Sequence, residues 1–189
     1  LAKTALAEFG QKPLEDIEHV WHGLESPYLD LFGWLEDRAP VPEIHRHKVF
    51  HPMMLSNPID EAKDFASMNP DDFQAEWKWD GIRVQLSRSG ARTRLYSRSG
   101  DDISNAFPDI VEAADFEGVV DGELLVGGTA RSNEPTRTFS DLQQRLNRKT
   151  VSAKMLDEYP AFLRAYDLLF EGDTDVRGKT FLERRERLT

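Results

Sequence analysis

The chain contains no cysteine. That excludes disulfides, thiolate catalysis and cysteine-ligated zinc, and a cytoplasmic protein is the simplest expectation. No apolar run approaches the roughly 18–20 residues needed to span a bilayer, so no membrane partner is expected. The opening residues, LAKTALAEFGQKPLEDIEHV, soon turn acidic and lack a small-residue cleavage site, which argues against a secretory leader. There is no internal repeat and no low-complexity segment. Positive charge is in short supply: 24 Lys and Arg stand against 34 Asp and Glu, a formal net charge of −10. Net charge of that sign speaks against a nucleic-acid binder, although it says nothing about local patches. Arg145, Arg148, Lys149 and Lys154 form one basic stretch, and Arg184, Arg185 and Arg187 another. By residue type alone, each reads as a solvated helix face.

What is present fits a globular unit: 39% of the 189 residues are hydrophobic and 31% charged. Residues 14–24 carry Leu14, Ile17, Val20, Trp21 and Leu24 at helical spacing behind Pro13. Residues 28–36 form a second short apolar segment, expected to be helical. DRAPVPEIHRHK, with two prolines and clustered charge, reads as a linker. The first 40 residues therefore look like the end of another unit.

Beyond the linker the pattern changes. Residues 73–79, 81–88 and 91–97 read as strands separated by turn signals at Asp80-Gly81 and Ser89-Gly90. A helix is expected from Phe107-Pro108 to Ala114. GVVDGELLVGG reads as two buried strand pieces around an Asp121-Gly122 turn. FSDLQQRLNR reads as a helix capped by Ser140, with Leu142 and Leu146 on its apolar face. AFLRAYDLLF is a buried strand followed by a turn, and TFLERRERL opens a last helix. The sum is an α+β unit built on antiparallel hairpins.

One stretch stands apart: EWKWDGIRVQL, residues 76–86, sets a single lysine between two tryptophans. Such a lysine could simply bury its stem and keep its ammonium wet. In a strand, however, Glu76, Lys78 and Asp80 would share one face, with Trp77 and Trp79 on the other. Gly81 permits a tight turn or a close approach, and Arg83 follows. An amine is a nucleophile only when neutral, and neutralising a free lysine at pH 7 costs roughly 4–5 kcal/mol. Nearby cations such as Arg83, Arg98 or a bound divalent metal offset that cost, and the same cations would neutralise a polyphosphate.

EWKWDGIR resembles the lysine signature of the covalent nucleotidyltransferases, which comprise DNA ligases, RNA ligases and mRNA capping enzymes. Lys78, Asp80, Gly81 and Arg83 fit its Lys-x-Asp-Gly-x-Arg pattern without a gap. Three further segments follow in the family's order: YSRSG with Arg98, VDGELL with Glu123, and AYDLLFEGDTDVRGKTFLERRERL with Tyr166. Singly, each has a plain structural explanation: an exposed arginine, a hairpin turn, a core tyrosine. Their joint order carries the resemblance. The arginine-rich final segment and the helical N-terminal stretch favour an ATP-dependent DNA ligase over an RNA ligase or a capping-type enzyme, and a non-catalytic nucleotide-binding module stays open as an alternative.

The resemblance implies an antiparallel-sheet, ATP-grasp-like nucleotidyltransferase adenylation domain over residues 41–189, with ATP and Mg2+ as cofactors and nicked double-stranded DNA as partner. Residues 1–40 would be the end of a preceding helical DNA-binding domain. It also implies roles. Lys78 forms a lysyl–AMP with ATP, and Asp80 orients the lysine and the nick. Glu76 reads the adenine edge and Tyr166 stacks on its ring, with Trp77 beside the nucleotide. Arg83 and Arg98 hold ribose or phosphate. Glu123 takes a ribose hydroxyl or the metal. Two later motifs of the family, one with a metal-binding glutamate and one with a lysine pair, have no counterpart in these residues. The expectation is therefore a monomeric fragment of a longer ligase.

Overall fold

A computed structural model describes residues 2–21, 24, 27–42, 50–127, 136–146 and 148–188. Three N-terminal helices, α1 (Ala2–Gly10), α2 (Leu14–Trp21) and α3 (Leu29–Leu35), gather a small core of their own around Ile17, Val20, Leu31 and Trp34. The apolar spacing in the sequence locates α2 and α3; α1, whose only buried residues are Ala7 and Gly10, lacks a comparable stripe. Part of the expected linker, residues 43–48, lies outside the described residues. A one-turn helix, α4 (Glu61–Asp64), follows, capped by the Asp60 carboxylate on the Ala62 N–H.

The rest is a five-stranded antiparallel sheet with helices, the α+β class expected. Its strands are β1 (Ile82–Ser89), β2 (Arg92–Ser97), β3 (Gly118–Val126), β4 (Ala161–Glu171) and β5 (Thr174–Asp175), in the order β2-β1-β3-β4-β5. The helices are α5 (Pro108–Ala113), α6 (Phe139–Gln143), α7 (Ala153–Glu158) and α8 (Phe181–Leu188). β1 and β2 join through Gly90, whose φ of 57° suits a tight hairpin. Strand alternation divides the sheet. Val84 and Leu86 of β1, with Val120, Leu124 and Val126 of β3, enter the main core against Phe107, Ile110 and Leu142. Arg83 and Gln85, with Asp121 and Glu123, take the other face.

Several expectations are corrected here. Residues 73–79 pair with no strand among the described residues, where the first ladder begins only at Ile82. Asp121-Gly122 is no turn: both residues lie in the middle of one continuous β3, paired to β1 and β4. A polar residue inside an apolar run can mark a turn or a buried partner, and Asp121 is the second. The α6 cap is Thr138, not Ser140: its hydroxyl accepts from the Asp141 N–H while the Asp141 carboxylate accepts from the Thr138 N–H.

The basic stretches are not uniformly solvated either. Arg145 is wholly buried, bidentate to Asp109 at 2.8 and 2.5 Å, and it also donates to the Ala106 and Tyr159 carbonyls. It thereby ties the end of α6 to α5 and to the start of β4. Arg184 is buried against Asp167 of β4, at 2.7 and 3.0 Å, and anchors α8. A buried ion pair loses far more than an exposed one when a partner is removed, because the remaining charge cannot be resolvated. Asp109→Ala is expected to lower stability by about 3–5 kcal/mol in equilibrium urea unfolding. Glu171→Gln, at the exposed Arg187–Glu171 pair, should change it by less than about 1 kcal/mol.

Candidate active site

The sheet face that carries Arg83 and Glu123 opens into a cleft of about 650 Å3. Its walls come from four places: the turn before β1, the loop after β2, the middle of β3 and β4, and the α6 segment. Seven of the eight residues singled out in the sequence line it: Glu76, Trp77, Lys78, Arg83, Arg98, Glu123 and Tyr166. Asp80 does not; it is exposed beside the cleft. Glu76, Trp77, Lys78 and Trp79 all border this cleft, and all but Lys78 also border a neighbouring one lined by Arg164 and Arg185. No ladder imposes strict alternation on this segment. Trp77 is 85% exposed, whereas Trp79 is covered by Arg164, whose guanidinium carbon sits 4.2 Å from the ring centroid.

Gly81 explains how the lysine turn comes to this place. A Cβ there would lie 2.3 Å from the Leu124 carbonyl oxygen and 2.8 Å from the Leu125 side chain. Only glycine allows this turn to press against β3, where the Gly81 N–H donates to Glu123 Oε1 at 3.2 Å. Gly122 serves the opposite edge of the same strand: a Cβ would stand 2.7 Å from the Arg164 carbonyl oxygen. Both motif glycines are therefore packing requirements of the sheet that backs the cleft.

Tyr166 owes its position to a bulge. Asp121 and Gly122 are consecutive on β3 but face Asp167 and Ala165 on β4, which leaves Tyr166 as the extra residue. Its ring lies under Arg83, 5.7 Å from guanidinium carbon to centroid. Burial pushes the Tyr166 phenol well above its ordinary pKa, so it stays neutral throughout the physiological range.

The charged groups divide into held and free. Arg83 donates to Asp121 Oδ2 at 2.7 Å and to the Met54 carbonyl at 2.9 Å. Burial works against its charge, but the hydrogen bond and charge of Asp121 more than offset this and raise its pKa. Its Nε is buried without a hydrogen-bond partner among the described residues. Lys78 and Arg98 have no hydrogen-bond or ion-pair partner among the described residues. Glu76 pairs with Arg185 at 3.2 Å, and Arg185 also donates to the Tyr166 carbonyl at 2.6 Å. Burial raises the Glu123 carboxyl above the ordinary glutamate range, with Asp80 adding to the rise and the Gly81 N–H and Arg83 opposing it.

An amine, two guanidinium groups and a neutral aromatic ring, with Phe139 and Leu146 as apolar walls, suit a nucleotide: ring for base, cations for phosphates. The fit to magnesium is narrower. Among the described residues no cluster of three or more histidines and carboxylates could cage a metal. Glu123 therefore fits magnesium only in company with phosphate oxygens, the usual mode for that ion. Sequence reasoning missed Asp121, Gln85, Trp79, Arg164 and Arg185. Gln85 and Asp121 carried a signal, each being a polar residue inside an otherwise buried strand run.

The family described as ATP dependent DNA ligase domain matches residues 53–189. A probable DNA ligase of Koribacter versatilis is 36% identical over 149 residues, covering 76% of this chain and 25% of that protein. A DNA ligase of Methanocaldococcus jannaschii is 34% identical over 195 residues, covering 97% of this chain and 32% of that protein. Among solved structures, a mycobacterial DNA ligase D complexed with ATP and MES is 30% identical with a TM-score of 0.44, covering 60% of this chain and 34% of that one. The chain thus spans a quarter to a third of the length of these curated relatives. Among the described residues no helix is long and apolar enough to cross a membrane.

The raised Glu123 pKa has a definite sign for stability. A carboxyl whose folded-state pKa is raised favours folding most when protonated, below about pH 4.3, and that contribution is lost as pH rises through the raised value. Glu123→Gln keeps an acceptor for the Gly81 N–H and removes the half-buried charge. Thermal unfolding should show a higher midpoint for Glu123→Gln than for the wild type at pH 7, with the difference shrinking toward pH 4. An equal difference at both pH values would contradict the burial assigned to this carboxylate.

Proposed function

The chain belongs to the ATP-dependent DNA ligase domain family, and from that premise we propose that its cleft binds ATP and charges Lys78 with AMP. The observation that carries this reading is the convergence of Lys78, Arg83, Arg98, Glu123 and Tyr166, drawn from separate elements, on one cavity.

In the first step the neutral Lys78 amine attacks the α-phosphorus of ATP. A nitrogen–phosphorus bond forms, the bond to the bridging oxygen breaks, pyrophosphate leaves and the amine gives up a proton. In the second, a 5′-phosphate oxygen at a DNA nick attacks the same phosphorus and releases Lys78, leaving AMP on the nick. In the third, the neighbouring 3′-hydroxyl attacks the 5′-phosphorus, AMP departs and the strand is sealed. Phosphoryl transfer of this kind depends on positioning and charge stabilisation more than on new covalent chemistry.

The residues divide these tasks. Tyr166, neutral and held at the bulge, stacks on adenine. Glu76 meets the edge of the base, which requires it to loosen from Arg185. Trp77 closes over the nucleotide from its exposed position. Arg83, kept in place by Asp121, offers its guanidinium to ribose or phosphate. Arg98, in the loop after β2 and unpaired among the described residues, takes phosphate. Asp80, exposed beside the lysine, orients the amine and later the nick. Magnesium, bound with phosphate oxygens and Glu123, would supply neutralising charge to the departing pyrophosphate. We assign residues 1–40 to the end of a helical DNA-binding domain and residues 41–189 to the adenylation domain of a monomeric, cytoplasmic ligase.

Incubation with α-labelled ATP and magnesium should label the wild type, and Lys78→Ala and Lys78→Arg should carry no label. Label retained on Lys78→Ala would overturn the assignment, and stronger labelling from GTP or NAD would move the chain to another branch of the nucleotidyltransferases. Stacking on one base is worth about 1–3 kcal/mol, so Tyr166→Ala should weaken ATP binding by about tenfold or more, and Tyr166→Phe by less than about twofold. Equal losses in the two variants, read by equilibrium binding, would remove stacking as the role of Tyr166.

A further inference from the structure

Gln85 reaches no ligand, yet it is wholly buried at the centre of β1, directly opposite Asp121 on β3. A buried carboxamide must satisfy one acceptor and two donor hydrogens. Gln85 does so in one orientation. Its Oε1 accepts from the His51 N–H at 2.7 Å, while its Nε2 donates to the His51 carbonyl at 3.1 Å and to Asp121 Oδ1 at 3.0 Å. Turning the amide over would aim an oxygen at a carbonyl and a carboxylate, with no donor between them. The surrounding backbone thus fixes which way the amide faces.

The consequence passes to Asp121, which is also wholly buried. With Oδ1 taken by Gln85, Oδ2 is the oxygen left to receive the Arg83 guanidinium, at 2.7 Å. Arg83 stands two residues before Gln85 on the same strand and the same face, with its guanidinium over the Tyr166 ring. The same pair of β1 side chains also grips the incoming chain: Gln85 holds the backbone of His51, and Arg83 the carbonyl of Met54.

We infer that Gln85 is a positioning residue of the nucleotide cleft: it orients Asp121, and Asp121 aims Arg83 into the cavity. The inference rests on the nucleotide reading of the cleft given above. It goes beyond that reading by assigning the aim of Arg83 to a residue that touches neither nucleotide nor lysine. If Gln85 merely filled the core, its replacement would lower stability and leave the affinity for nucleotide alone.

The test is a double-mutant cycle on the full chain. Gln85→Met removes the amide at similar volume; Gln85→Glu keeps the acceptor for His51 and loses the donor to Asp121. Each should weaken ATP binding by about tenfold in the wild-type background, and by less than about twofold when Arg83 is already alanine, because the effect travels through Arg83. Equal losses in both backgrounds, or unchanged ATP affinity, would overturn the inference. A second readout needs no nucleotide. The Arg83 Nε–H resonance, identified in 15N-arginine-labelled protein by its disappearance in Arg83→Lys, should shift in either Gln85 variant. A resonance that stays in place overturns the inference whether or not ATP binds. A shifted resonance in a protein that never adenylates Lys78 overturns the nucleotidyltransfer reading alone.

Discussion

The site depends on how closely β1 and the turn before it lie against β3. Gly81 has no Cβ because the Leu124 carbonyl occupies that space, and its N–H reaches the Glu123 carboxylate. Two residues on, Arg83 crosses to Asp121 in a pair whose acid is wholly buried. Such a pair cannot be loosened cheaply, since either partner alone would be left as a desolvated charge. These contacts fix the turn that carries Lys78 to the strand that carries Glu123. With the bulge of β4 adding Tyr166, they bring an amine, two guanidinium groups, a carboxylate and an aromatic ring around one cavity.

A chain with net charge −10 is an unpromising partner for polyphosphate or DNA. The cleft nonetheless differs in local charge from the chain as a whole. Lys78 and Arg98 reach it without a carboxylate partner among the described residues, and the buried Nε of Arg83 is likewise unmatched. Elsewhere arginines are absorbed by structure. Arg145 and Arg184 each saturate an aspartate in or near the core, and Arg185 is shared between Glu76 and a backbone carbonyl. The basic stretches that look alike in sequence therefore do different things: Arg145 and Arg184 hold the fold, whereas Arg148, Lys149 and Arg187 are exposed.

Much of this was legible from the residues alone. The hairpin of β1 and β2, the long β4 and the last helix follow from alternation, turn residues and apolar spacing, and the ordered motif segments located the lysine, both arginines, Glu123 and Tyr166. Partnership across the sequence was not legible. Asp121 looks like half of a turn until Arg83, 38 residues earlier, is seen to neutralise it. Arg145 looks solvated until Asp109 is placed beside it. The segment before Lys78 has the composition of a strand but pairs with no strand among the described residues, and Trp77 and Lys78 both border the cleft. Alternation describes a strand only where a ladder holds it.

A crystal structure of the chain after exposure to ATP and magnesium tests the central claim most directly. The account predicts continuous density from the Lys78 Nζ to the phosphorus of an AMP, with the base lying on the Tyr166 ring and the Arg83 guanidinium still seated on Asp121. An unmodified Lys78 with nucleotide bound elsewhere on the molecule would contradict it.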